Sequence, residues 1–121
     1  MNTNWVKVQI DDLSTIPNLD RFESNEDGLF IELSFNGVVK TLYFEDFYAF
    51  RSVDEGKAFS LLGKYDVDTP YWLFENKDSD LKTWFDVESA ETYKDKYTPY
   101  IVVCQHHFIE ILTVFPPTIL T

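Results

Sequence analysis

Residues 29–44 read LFIELSFNGVVKTLYF and hold the clearest structural pattern in the chain. The odd-numbered positions from Leu29 to Phe35 are all apolar, the two-residue period of a strand with one buried face. Asn36-Gly37 follows, and a second β-prone run begins at Val38. Asn-Gly between two such runs predicts a type I′ turn, because both central residues must reach positive φ. The stretch therefore predicts an antiparallel hairpin.

Working outward, most of the remaining segments also favour strands. Residues 11–27 are instead polar, and they predict a loop with one helical turn after Pro17. Pro116-Pro117 is expected to stop strand pairing beyond Phe115. The other predicted strands lie at 5–10, 46–51 and 71–75, with two more within 100–115 that turn near Gln105-His106-His107.

Two short helices are predicted between these strands. Ser52 to Glu55 has the S-x-x-E form of a capping box, although it is also compatible with a turn that ends a long strand. Asp78 or Ser79 can cap a second helix that carries Leu81, Trp84 and Phe85 on one face. The fold class expected is α+β, a mostly antiparallel sheet of about five or six strands with two short helices on one face. Residues 1–121 are expected to form one domain.

The charge balance narrows the class of partner. Ten Lys and Arg residues stand against 21 Asp and Glu residues in 121 residues, a net charge of −11. Phosphate backbones and anionic lipids are bound by clusters of basic residues, so nucleic acids and membranes are not expected as partners. A protein with a basic surface is the natural complement. The alternative explanation is that the acidity only keeps the protein soluble.

Cysteine usage and the N-terminal segment indicate a cytoplasmic protein. Cys104 is the only cysteine, so no disulfide can form within the chain. The opening residues MNTNWVKVQIDDL lack the basic region and apolar run of a signal peptide. The expected compartment is therefore a reducing cytoplasm.

The candidates for catalysis or metal binding are incomplete. His106, His107 and Glu110 have part of a metal-ligand pattern, but adjacent histidines on a strand point to opposite faces. Cys104 lies in an apolar run, where a thiol is expected to be buried and unreactive. Nucleotide-binding fingerprints are missing from the sequence. We expect no enzyme, no metal and no cofactor; the alternative is a small ligand-binding or hydrolytic domain with a pocket near His106, His107 and Glu110.

The acidic stretch 66–91 contains the best candidates for a protein interface. Aromatic anchors ringed by carboxylates are typical of binding hot spots. The alternative is that both tryptophans belong to the core, with the carboxylates merely beside them. The residues predicted to bind a partner are Asp66, Asp68, Tyr71, Trp72, Asp78, Asp80, Trp84, Asp86 and Glu88.

Three segments carry a resemblance to a broad class of proteins. They read LYFEDFYAFRSVDEG, YWLFENKDSDLKTWFDVES and IVVCQHHFIEILTVFPP. Together with the size and acidity, they resemble the small single-domain immunity proteins that bacteria make against their own toxins. The resemblance implies a cytoplasmic inhibitor that occludes the active surface of a cognate toxin. It assigns no role to any individual residue and leaves the toxin and the oligomeric state open.

Overall fold

The hairpin predicted at Asn36-Gly37 is confirmed. In the computed structural model, Asn36 and Gly37 have φ of 50° and 86°. The flanking strands pair in antiparallel register from Phe35 opposite Val38 to Leu29 opposite Phe44. The structure describes residues 4–120, so residues 1–3, from which localisation was partly predicted, lie outside it, as does residue 121.

The described residues form nine strands, one 3₁₀ turn and two helices. These are β1 (Trp5–Lys7), β2 (Asn18–Asn25), β3 (Gly28–Phe35), β4 (Val38–Phe44), β5 (Phe47–Asp54), the 3₁₀ turn (Glu55–Lys57), α1 (Phe59–Lys64), β6 (Leu73–Asn76), α2 (Asp80–Glu88), β7 (Thr98–Val103), β8 (His107–Thr113) and β9 (Thr118–Leu120).

The strands build two antiparallel sheets that face each other. The first has the order β1-β6-β7-β8-β5 and the second β2-β3-β4-β9. Aromatic rings cross the space between the sheets: Phe44 lies 6.0 Å from Tyr100, and Phe22 lies 4.9 Å from Phe50, between ring centroids. The α+β class is confirmed, whereas the expected sheet of about five or six strands agrees only roughly with nine strands in two sheets, the first of which has five.

The first sheet is buried on both faces. Ile109 and Ile111 of β8 belong to the core shared with the second sheet. Side chains at alternate positions point the other way, and there Leu112 packs with Leu81 of α2. The ring of Phe108 meets Tyr65, which follows α1, at 6.3 Å. Both helices thus cover the outer face of this sheet, which explains why β7 and β8 are mostly apolar on both faces.

The loop expected over 11–27 is wrong, because residues 18–25 form β2. Leu19 pairs with Leu33 and Phe22 with Ile31, and the register shifts between Leu19 and Arg21. This bulge places two residues three apart on the same face of a strand. Their spacing imitates one helical turn in the sequence, which caused the error.

Two further boundaries differ from the prediction. Strand β5 continues through the proposed capping box, and Asp54 caps the 3₁₀ turn by accepting a hydrogen bond from the Gly56 backbone N–H at 2.8 Å. The alternative of a long strand ending in a turn was therefore correct. Pairing also continues beyond Pro116-Pro117, because Ile119 of β9 lies opposite Leu42.

Candidate functional site

Two of the predicted interface residues lie in the core. Tyr71 is 2% exposed and Trp72 is fully buried. The Trp72 indole N–H donates to the Leu13 carbonyl, and the Tyr71 hydroxyl donates to the Val8 carbonyl, both at 2.8 Å. Since buried aromatic side chains keep their polar atoms bonded in this way, the core explanation is correct for these two residues.

Asp86 was predicted to bind a partner, but the structure buries it. Its carboxylate accepts hydrogen bonds from Lys82 at 2.7 Å and from the Tyr97 hydroxyl at 2.5 Å. Burial alone would raise the pKa of Asp86, but these two donors outweigh it and lower the pKa. Asp86 therefore holds α2 to Tyr97, next to the start of β7.

The other predicted residues remain at or near the surface. Asp66 and Asp68 occupy the turn between α1 and β6, where Asp66 accepts a hydrogen bond from the Thr69 hydroxyl at 2.9 Å. Asp78, Asp80, Trp84 and Glu88 lie in or beside α2 and are exposed. Ser79 caps this helix, accepting from the Lys82 backbone N–H at 3.1 Å, which confirms one of the two predicted caps.

A cleft along β5 brings Trp84 and Asp80 together with residues that the prediction omitted. One hollow of about 280 Å³ is lined by Phe50, Arg51, Leu81 and Trp84. A second, of about 240 Å³, shares Arg51 and is lined by Val53, Lys57, Ala58, Phe59, Ser60, Leu61 and Asp80. We call the two together the β5 cleft. Its two most exposed aromatic side chains are Phe59, 77% exposed, and Trp84, 53% exposed.

Arg51 links the carboxylates at the floor of the β5 cleft. Its guanidinium contacts Glu110 on the neighbouring strand at 2.5 Å and Asp80 at the start of α2 at 2.6 Å. The hydrogen bond from Arg51 lowers the pKa of Asp80. Burial raises the pKa of Glu110, which is 2% exposed, despite the adjacent guanidinium. The network joins β8, β5 and α2.

Sequence reasoning missed Phe50, Arg51 and Phe59 as members of the site. Phe59 reads as a core residue because it lies in an apolar, periodic segment, and Phe50 reads only as part of the predicted strand 46–51. Arg51 stands opposite Glu110 in the β5–β8 register, a pairing between residues far apart in sequence. An arginine inside an aromatic strand was the one available signal, since a strand residue with a long charged side chain favours a sheet edge.

A second depression lies on the outer face of the second sheet. It encloses about 320 Å³ and is lined by Arg21, Glu23, Asn25, Phe30, Glu32, Thr41 and Leu120. Its polar side chains already bind one another, because Glu23 accepts hydrogen bonds from Arg21 at 2.5 Å and from Asn25 at 2.8 Å. This hollow is larger than either hollow of the β5 cleft. The hydrogen bonds between its own side chains, however, leave fewer polar groups available to a ligand.

The three side chains of the alternative interpretation do not converge on one point of the structure. His106 is exposed in the turn between β7 and β8, while Glu110 is buried beside Arg51. His107 and Glu110 are three residues apart on β8 and so point to opposite faces. Cys104 is buried as expected, and burial raises the pKa of its thiol to about 12. Among residues 4–120, no group of three or more His, Cys, Asp and Glu residues is arranged to hold a metal ion.

Comparison with protein-family models, with curated proteins and with solved structures finds no match to this chain. Within the part of the chain that the structure describes, neither helix is long and apolar enough to cross a membrane. The best indication of function is therefore the geometry and charge of the β5 cleft.

Proposed function

We propose that this chain is an acidic protein-binding module whose partner presents a basic surface. The observation that carries the proposal is the β5 cleft, where exposed Phe59 shares one hollow with Asp80 and exposed Trp84 lines the other hollow. Large exposed aromatic side chains beside a charged group are the usual composition of a binding hot spot. In a chain of net charge −11, the complementary surface is cationic.

The partner we propose is a bacterial toxin domain, and the module acts as an immunity-type inhibitor in the cytoplasm. Support comes from the small size, the acidity and the resemblance of three segments to such proteins. Inhibition would follow from occlusion of the toxin's active surface and needs no chemistry from this chain. No enzymatic role is proposed, because His106, His107 and Glu110 do not converge on one cavity.

The test begins with capture of binding proteins from the source cell at low salt. Each recovered basic protein is purified, and its association rate with this chain is measured at about 0.02 M and about 0.3 M salt. We expect association to slow several-fold at the higher salt, because exposed fields are then screened. A toxin partner should also arrest growth when expressed alone, and co-expression of this chain should restore growth.

Two results would overturn the proposed function. The first is a partner that associates at the same rate at both salt concentrations, which would remove charge complementarity as the basis of recognition. The second is the recovery of no protein partner together with a small molecule that raises the melting temperature. That result would establish a ligand-binding domain instead.

A further inference from the structure

We infer that an extended, basic segment of the partner adds to the first sheet as a new strand, pairing with the free edge of β5. This inference rests on the proposed function and specifies how the partner docks. It commits to an extended segment in which a basic residue lies between apolar ones.

The outer edge of β5 is free to pair. β5 is the last strand of the first sheet and, within residues 4–120, pairs only with β8. The register is regular from Ala49 opposite Leu112 to Asp54 opposite His107. An edge strand presents unpaired backbone N–H and C=O groups, to which an extended peptide can hydrogen-bond.

The β5 cleft shows that this edge is open to solvent. Phe50 and Arg51 are adjacent on the strand, so their side chains point to opposite faces of the sheet. One hollow is lined by both of them and Phe50 is 39% exposed, so this part of β5 is open to solvent. An added strand would fill this space.

The exposed aromatics lie at two points along the same edge. Trp84 lines the hollow beside Phe50, and Phe59 lines the hollow beside Val53. Three residues of strand span about 10 Å. Alternate residues of an added strand share one face, so side chains on that face would meet Trp84 in one hollow, and Asp80 and Phe59 in the other. This arrangement predicts an apolar, a basic and an apolar residue at alternate positions of the partner segment.

The charge around β5 favours a basic occupant over a second copy of this chain. Between residues 45 and 57 there are four acidic and two basic side chains. Of the two basic side chains, Arg51 is paired with Asp80 and Glu110, and Lys57 lines the same hollow as Asp80. Two copies would bring together two chains of net charge −11, which opposes self-association through this edge.

The remaining edges fit such a partner less well. β1, the other edge of the first sheet, and β9 have only three residues each. β2 has eight residues, but its register is interrupted between Leu19 and Arg21, a device that discourages edge pairing. β5 is also irregular, between Phe47 and Ala49. However, its regular part borders the cleft that holds Trp84 and Phe59.

The test uses synthetic peptides of about ten residues, long enough to cover β5. The first peptide alternates threonine with the series valine, lysine, valine; the second has glutamate in place of lysine. A third keeps the composition of the first but has prolines that prevent strand pairing. Each is titrated to millimolar concentration into isotope-labelled full-length protein, and backbone amide and indole resonances are followed by NMR.

With the lysine peptide, we expect saturable chemical-shift changes at the amides of residues 49–54 and at the Trp84 indole. The glutamate and proline peptides should not cause them. A Trp84→Ala and Phe59→Ser double variant should weaken binding at least roughly five-fold, since both side chains border the edge. A Val67→Ser variant is the matched control, because Val67 is exposed outside the cleft; it should bind as the unmodified protein does.

Several results would overturn the inference. They are the absence of saturable changes, equal binding of the glutamate or proline peptide, and changes centred on β2 or on the outer face of the second sheet. If a basic partner is recovered with salt-sensitive association and the peptides fail, edge docking is wrong while the proposed function stands. Peptide binding at β5 without any natural partner would instead count against the proposed function alone.

Discussion

The strand region 71–76 and helix α2 have similar compositions and opposite roles. Both lie in the acidic stretch 66–91, and each contains a tryptophan and at least one carboxylate. Trp72 is fully buried, whereas Trp84 is 53% exposed. The first region continues into β6, which lies between β1 and β7 and contacts protein on both sides. The helix contacts the sheet with one face only, which leaves its other side chains for solvent or a partner.

The largest effect expected from this comparison is that of Trp72→Ala. The indole packs against the Phe35 ring at 5.0 Å between centroids and donates to the Leu13 carbonyl. Removing a buried aromatic ring leaves a cavity and typically costs about 3–5 kcal/mol. Chemical denaturation should therefore show a large decrease in the free energy of unfolding. A change below about 1 kcal/mol would place Trp72 outside the core.

This contrast shows what can be predicted from the sequence and what cannot. The β3–β4 hairpin was predictable because its alternation and its Asn36-Gly37 turn are local signals. The cap of α2 at Ser79 was predictable for the same reason. By contrast, the division into two sheets depends on pairings between distant residues, such as Arg51 with Glu110.

The candidate site was predictable in the same partial way. Asp80 and Trp84 were identified because aromatic side chains ringed by carboxylates are typical of interfaces, although the helical spacing put Trp84 on the same face as Leu81 and Phe85. Phe59 was not, because an aromatic residue in an apolar segment reads as core until the edge of the sheet is known, and Phe50 was predicted only as part of a strand. Burial of Tyr71 and Trp72 was undecided from the sequence because flanking carboxylates occur beside both core and interface aromatics.

The next prediction compares two buried carboxylates: Asp86 of α2, which binds Tyr97, and Glu110 of β8, which binds Arg51 of β5. Asp86 has a lowered pKa in the folded protein, so it stabilises the fold above about pH 4, and that stability is lost as the pH falls through its folded pKa. Asp86→Asn should therefore cost about 1–2 kcal/mol near neutral pH. The difference from the unmodified protein should shrink toward about pH 3.

Glu110→Gln should show the opposite trend. Its pKa is raised in the folded protein, so the folded state holds a proton more tightly than the unfolded chain, whose value is near 4.5. The stability of the unmodified protein relative to this variant should therefore fall as the pH rises above that value. Denaturation at a series of pH values, from about 3 to about 7, measures both variants. Parallel trends would show that the two carboxylates have similar surroundings, contrary to the structure.

The smallest effect on stability is expected for Trp84→Ala, the counterpart of Trp72→Ala on α2. Because the Trp84 side chain is 53% exposed, its removal should change the free energy of unfolding by less than about 0.5 kcal/mol. The same denaturation experiment measures this, with Val87→Ala as an exposed control on the same helix. A partner that occupies the β5 cleft should nevertheless dissociate faster from Trp84→Ala, since anchors that lose solvent on binding control release. A loss of stability approaching that of Trp72→Ala would instead make Trp84 part of the core and remove it from the proposed interface.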